Sequence, residues 1–196
     1  MWRSAAVILI SAVLSSILVA CGGGDSAPPP QAPPAGPSQA APPKCPPLPG
    51  SMAAAPAQAD QVTAAGLAVG SAPVDPRTGE TNVRTRANYL TGTLNRAAPT
   101  GTQIWIITNP QGGDFYVQDG VPVQPDAGGG FRALFNVGLR DDQPQARPNT
   151  VRVVQVTDSV AAYLASCHAS STINPRLPAE LPWHVAGSLL VHKIAP

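Results

Sequence analysis

The stretch ANYLTGTLNRAAPTGTQIWIITNP, residues 87–110, decides the fold class. Its first eight residues alternate in polarity and place Leu90 and Leu94 on one face, while residues 102–107 form a β-branched and aromatic run. Pro99-Thr100-Gly101 stands between the two runs and is a turn signal. The pattern therefore predicts two short strands joined by a turn, with Trp105 as a core residue of the second.

Similar runs recur along the rest of the chain. Each is short and is bounded by glycine, proline, asparagine or aspartate, and the runs occupy residues 114–118, 131–137, 150–156 and 185–194. Many short strands punctuated by turn residues are typical of an antiparallel β-sandwich or barrel. We predict an all-β, antiparallel β-sandwich.

One helix interrupts the strands. Asp158 is a plausible N-cap, and the apolar residues Val160, Tyr163, Leu164 and Cys167 follow at helical spacing. The short helix is expected before the last strand, lying across one end of the sandwich.

The first twenty residues have a different character. A basic start at Arg3 is followed by an apolar run and small residues, which is the pattern of a secretory signal peptide over residues 1–20. The sequence Leu18-Val19-Ala20-Cys21 resembles the lipobox of bacterial lipoproteins. That resemblance implies cleavage before Cys21, diacylglycerol on its thiol and an acylated amino terminus. The alternative is an ordinary signal peptide with a chance cysteine.

Residues 21–59 read as a tether. Half of the 24 prolines lie in this segment among alanine, glycine, serine and glutamine, and almost no large aliphatic residue accompanies them. Such a composition cannot offset the entropy of ordering, so a disordered, proline-rich linker is predicted. A proline-rich recognition ligand is the alternative. The sandwich domain is then expected over residues 60–196.

The charge of the chain limits its partners. Cleavage before Cys21 removes one basic residue and leaves 11 acidic residues opposed by as many basic ones. A neutral protein has no electrostatic basis for binding nucleic acid, so no nucleic-acid partner is expected. Attachment to the membrane would depend on acyl chains at Cys21.

The strand runs, read together, resemble an immunoglobulin-like module of exported bacterial proteins. The resemblance covers about residues 72–194 and is carried by VDPRTGETNVRTRANYLTGTL, QIWIITNPQGGDFYVQ, GGGFRALFNVG, TVRVVQVTD and LPAELPWHVAGSLLVHKI. It implies a domain that binds or spaces and rarely catalyses. Gly22, in place of the aspartate that retains many lipoproteins at the inner membrane, implies the outer membrane in a Gram-negative host, on its periplasmic or surface face.

Candidate binding residues lie in two loops, 109–114 and 119–130. These loops are rich in glycine and carry Asp114, Asp119 and Asp126, and the aromatic residues Phe115, Tyr116 and Trp105 lie nearby in the sequence. Loops at the end of a sandwich are common binding positions. The alternative is that the aromatic residues belong to the core. The aspartates match no calcium-loop spacing, so no metal and no cofactor is predicted.

Two cysteines remain besides Cys21. In an oxidising compartment Cys45 and Cys167 could form a disulfide that fixes the distal tether to the domain. The alternative is that Cys167, on the apolar stripe of the helix, is a buried thiol.

The chain offers no catalytic constellation in its sequence. If residues 183–194 form one strand, His184 and His192 share a solvent-facing side about 26 Å apart, with Val185 pointing inward. No nucleophile elbow is present. We therefore expect a non-catalytic envelope lipoprotein that binds a protein partner or acts as a spacer. Alternatives are an accessory or structural subunit of an envelope complex and, less favoured, an enzyme with an unrecognised site.

Overall fold

The computed structural model of the chain describes residues 45–50, 52–169 and 175–196. The predicted signal peptide, Cys21 and the tether up to residue 44 lie outside the described residues. The elements in the described part are β1 (Ala64–Val69), β2 (Thr81–Val83), β3 (Ala87–Leu94), β4 (Thr102–Pro110), β5 (Phe115–Val117), β6 (Gly130–Asn136), β7 (Asn149–Thr157), α1 (Asp158–Ala169), β8 (Arg176–Leu177) and β9 (His184–Lys193).

The strands form two sheets. The smaller sheet has the order β1-β3-β6, and the larger has the order β2-β9-β7-β4-β5-β8. The prediction of an all-β fold with two sheets and one helix is confirmed. The sheets are not wholly antiparallel, because β2 runs parallel to β9 with Asn82 opposite His192.

The inner core lies between the two sheets. Along β6 the residues alternate between buried and more exposed positions, so Phe131 and Phe135 point toward the larger sheet. They pack in one cluster with Leu90 of β3 and with Ile106 and Val153 of the larger sheet. The period-two pattern that predicted these strands is the pattern that forms this core.

A second core covers the outer face of the larger sheet. Trp105 and Ile107 alternate with the inward residues of β4 and pack with Val160 and Leu164 of α1. Trp105 is 1% exposed, which confirms its prediction as a core residue. The prediction that the helix lies across one end of the sandwich was wrong. Because β4 is apolar on both faces, the outer face also requires a cover, and α1 provides it.

The segment that precedes β1 is part of this second core. Cys45 is joined to Cys167 by a disulfide with Cα atoms 4.7 Å apart. The Tyr163 hydroxyl donates to the Pro46 carbonyl at 2.7 Å, and Met52 packs against the same cluster. These contacts hold Cys45, Pro46 and Met52 against the core that α1 forms, although all three precede the domain boundary predicted at residue 60. We call residues 45–50 and 52–57 the strap.

Among the described residues, no helix is long and apolar enough to cross a membrane.

Candidate functional site

A groove opens at one end of the sandwich. Its volume is about 640 Å³, and it is lined by residues 94–98 after β3, 102–104 at the start of β4 and 122–129 before β6. Pockets that hold small molecules have volumes of about 300–1,000 Å³. The groove therefore has the size of a binding site, and one of the two predicted loops lines it.

The floor of the groove is apolar and is fixed by the backbone. Leu94, Ile104 and Val123 line it and belong to the inner core. The amide of Val123 donates to the carbonyl of Ile104 at 2.7 Å, which holds the loop against the first residues of β4. Pro122 and Pro125 on the same loop restrict its backbone, so the groove is largely preformed.

Asp126 shapes one wall. Its Oδ1 atom accepts hydrogen bonds from the amides of Gly128 and Gly130, each at 2.8 Å. Gly129 lies between them with a φ of 80°, and a Cβ added to it would lie 2.6 Å from the Leu94 carbonyl oxygen. The aspartate therefore folds the tight turn, and only glycine fits at position 129.

Arg96 provides the positive charge of the groove. Its Nη2 atom donates to the carbonyls of Ala59 at 2.6 Å and Gln61 at 3.0 Å. Within the described ranges no carboxylate lies within ion-pair distance of it. The groove thus has an apolar floor with one guanidinium and one carboxylate in its lining, a combination that suits a peptide segment with both apolar and polar groups.

The two predicted loops do not form one surface. After β5 the chain runs back along β4, since Val117 pairs with Ile107 while Val123 bonds to Ile104. Residues 122–129 therefore reach the start of β4, whereas residues 109–114 remain at its far end. The length of β4 between them is about 20 Å at about 3.3 Å per residue. The structure therefore does not bring Asp114 and Asp126 together on one surface.

Asp119 belongs to a turn between these two ends. It has a φ of 61°, and Gly120, which follows it, has a φ of 67°. The ring of His168 packs over this turn, because a Cβ added at Gly120 would lie 2.2 Å from the ring. Asp119 is therefore a turn residue beside the end of α1, and the structure does not place it in the groove.

Asp114, Phe115 and Tyr116 lie at the edge formed by β5 and β8. Asp114 pairs with Arg176 at 2.8 Å. Burial, together with the negative charge of Asp114, raises the pKa of Tyr116. Phe115 contacts Trp183 edge to face, with ring centroids 5.3 Å apart. These residues form a second, separate surface. Phe115 also packs against the outer core, in agreement with the alternative that the aromatic residues belong to the core.

Arg152 of β7 stands next to this second surface, and sequence reasoning did not single it out. Its guanidinium carbon lies 5.1 Å from the centroid of the Phe115 ring. Burial lowers its pKa. The Nη1 atom is buried and has no hydrogen-bond partner, and no ion pair to Arg152 is present in the part of the chain that the structure describes. The only hint in the sequence is an arginine in the middle of the apolar strand TVRVVQV.

The histidines do not form a site. His184 contacts the carbonyl of Val62 at 3.0 Å, and His192 lies between Glu80 at 3.1 Å and the carbonyl of Gln145 at 3.0 Å.

The prediction that His184 and His192 share a solvent-facing side was wrong. A register shift in β9 opposite Val153 and Val154 changes the side-chain parity, so Val185 is 41% exposed where an inward position was expected. Both histidines are half-buried and hydrogen-bonded. No group of three or more metal-binding side chains occurs among the described residues.

Two buried glutamines hold these parts together and were also missed. Gln118 donates to Thr108 of β4 at 2.7 Å and accepts from the amide of Asn136 of β6 at 2.9 Å, which links the two sheets. Gln155 accepts from the amide of Val62 at 2.9 Å. Nothing in the sequence distinguishes these glutamines from surface ones.

No protein-family model, no curated protein and no solved structure matches this chain.

Proposed function

We propose that this chain is a non-catalytic lipoprotein of the cell envelope, anchored through Cys21, whose domain binds a partner protein in the groove at the end of the sandwich. The observation that carries the proposal is the preformed groove of about 640 Å³ with an apolar floor and one charge of each sign in its lining. The two packed sheets are compatible with an immunoglobulin-like module, and we assign the domain to that class as part of the proposal.

The strap gives the proposal a geometric consequence. Because the disulfide fixes Cys45 to α1, the segment between Cys21 and Cys45 comprises the 23 residues 22–44. At about 3.1 Å per residue for extended proline-rich chain, its maximal reach is roughly 70 Å. Cys45 must therefore lie within that distance of the membrane surface, and the size of the domain adds to the reach of the groove.

Site-specific photo-crosslinking in the native membrane tests the groove. A photoreactive residue at Gln124, which is exposed in the groove lining, should capture one protein reproducibly. The matched control is the same residue at Val74, which is 58% exposed and lies outside the groove. Ala127→Trp should fill the groove and remove the Gln124 crosslink. Capture of lipid alone, or a crosslink equal at both positions, would favour a spacer and refute the binding role.

The anchor is tested separately. Cys21→Ser should move the protein from the membrane fraction to the soluble fraction, and the mass of the native amino-terminal peptide should include acyl chains. If the Cys21→Ser variant stays in the membrane, the anchor is not on Cys21, whatever the groove binds.

A further inference from the structure

The outer face of the larger sheet is covered by α1 over only part of its area. In the pairing of β7 with β9, Arg152 lies opposite Ser188 and Thr150 lies opposite Leu190. These four residues lie on the outer face of the larger sheet, in the area that α1 does not cover. Ser188 is exposed, Leu190 is half-buried and Val185 is 41% exposed. The Phe115–Trp183 pair borders the same area.

We call Arg152, Phe115, Trp183, Val185 and Leu190 the outer-face patch. Its composition is that of an interaction surface rather than of an ordinary exposed sheet face. Tryptophan, other aromatic residues and arginine are enriched at the centres of protein interfaces, and lysine and the acidic residues are depleted there. The acidic side chain nearest along β5, Asp114, is already paired with Arg176. The patch therefore carries one cation without a counter-ion from the described residues.

Arg152 lowers the stability of the isolated domain. Its guanidinium lies against the Phe115 ring and its Nη1 atom is buried without an acceptor. Arg152 as a whole is half-buried, so its charge is partly solvated, but the buried Nη1 donor has lost water without gaining an acceptor, which costs free energy. A methionine could fill the same space along β7 without that cost. Within the described part of the fold the guanidinium has the Phe115 ring as its partner but no acceptor for Nη1, whereas a partner protein could bring that acceptor.

We propose that the outer-face patch is a second protein-binding surface, which accepts a segment that places a carboxylate against Arg152 and apolar side chains against Phe115, Trp183 and Val185. The ring of Phe115 holds the guanidinium in position, so little side-chain entropy is lost when the carboxylate arrives. This inference goes beyond the groove and does not depend on the lipid anchor.

An anionic membrane surface is the less suitable occupant. Recognition of acidic lipids by proteins uses clusters of four or more basic residues. The outer-face patch has one, and it lies among aromatic and aliphatic side chains. A protein segment with a single well-placed carboxylate matches the patch more closely.

The first test compares thermal unfolding of the purified full chain in detergent. Arg152→Met should raise Tm by a few degrees, about 2–4 °C for each kcal/mol of desolvation cost removed, because it removes a cation that the fold does not satisfy. Arg152→Lys keeps the charge without the planar guanidinium and should give no such rise. A fall in Tm for Arg152→Met would show that the arginine serves the fold and would overturn the proposal.

The second test locates the partner. A photoreactive residue at Val185 should capture a protein in the native membrane, and the captured peptide should contain aspartate or glutamate. Arg152→Met should reduce this crosslink at least tenfold, and Val74 serves again as the position outside the patch. Arg152→Glu combined with an acid-to-lysine change in the captured peptide should restore it. Capture of lipid only, no capture, or a crosslink that is indifferent to residue 152 would each overturn the proposal.

Discussion

The disulfide between Cys45 and Cys167 has the largest effect on stability that can be worked out from the structure. The two residues are 122 positions apart in sequence. On the chain-entropy estimate, a cross-link that closes a loop of this length destabilises the unfolded chain by about 5 kcal/mol at 25 °C. Domains of this size are stable by about 5–15 kcal/mol, so the bond accounts for a third or more of the total.

Cys45→Ser is the appropriate perturbation. It removes the bond and leaves Cys167 as a small buried thiol, which is a favourable state for a free cysteine. Loss of the bond also weakens the strap, whose hydrogen bond from Tyr163 to Pro46 contributes about 1 kcal/mol. We expect the free energy of unfolding to fall by about 2–5 kcal/mol, the range typical when a native disulfide is removed.

Urea unfolding followed by tryptophan fluorescence measures this loss, because Trp105 is buried in the core that α1 forms. The native chain under reducing conditions should match Cys45→Ser, and both should show a larger m-value because the uncross-linked chain exposes more surface. Tyr163→Phe is the matched control, since it removes the hydrogen bond and keeps the disulfide. A loss below about 1 kcal/mol in Cys45→Ser, or a free Cys45 thiol found by alkylation and mass mapping of the native protein, would refute the reasoning.

Three further changes test other parts of the structure. Gln155→Leu leaves buried backbone groups without partners, so urea unfolding should show a loss of about 2–3 kcal/mol, and a loss below 0.5 kcal/mol would contradict the role of that glutamine. Gly79→Ala should lower the free energy of unfolding by about 1–2 kcal/mol, because of its left-handed φ alone. Gly129→Ala should lower it further, because the added Cβ would also meet the carbonyl oxygen of Leu94. Equal losses in the two variants would contradict this close approach. Burial raises the pKa of Tyr163 in the folded state. The contribution of this tyrosine to stability is therefore present below about pH 10 and is lost as the pH rises through the higher folded pKa. Tyr163→Phe should flatten this decline in an alkaline unfolding series, and an unchanged decline would contradict the assignment.

The strands with strong period-two patterns could be predicted from sequence, and the weak ones could not. The run at residues 87–94 coincides with β3, and the run at 131–137 is displaced by one residue from β6. β1 consists mainly of alanine and glycine, while β2 and β8 have three and two residues, which is too short to show a period. These strands form because partners in the sheets are already in place, a cause that no local pattern contains.

The candidate site was less accessible to sequence reasoning because it depends on register. The loop that contains Asp126 was predicted to bind, and it does line the groove. Its separation from Asp114 follows from the path of residues 115–123 back along β4, and that path is set by backbone hydrogen bonds between distant residues. The displaced parity of β9 has the same origin, since one irregularity opposite Val153 reverses which side chains face inward.

Lys193 and Arg152, one buried and one half-buried, show how a cation that stabilises the fold can be distinguished from one that binds a partner. Lys193 is fully buried, and its ammonium donates to the carbonyls of Arg140, Asp141 and Gln143, so the fold supplies every acceptor it needs. Arg152 has a ring beside it and no acceptor among the described residues.

The same substitution should therefore have opposite effects at these two positions. Lys193→Met leaves three carbonyls without a donor and should lower the free energy of unfolding by about 2–3 kcal/mol, with faster tryptic cleavage after Arg140. Arg152→Met removes an unsatisfied donor and should raise it. If both variants lose stability to the same extent, the fold satisfies both cations and the outer-face patch has no need of a carboxylate from outside. If the signs differ, the arginine is retained against the stability of the domain, which is the mark of a residue selected for binding.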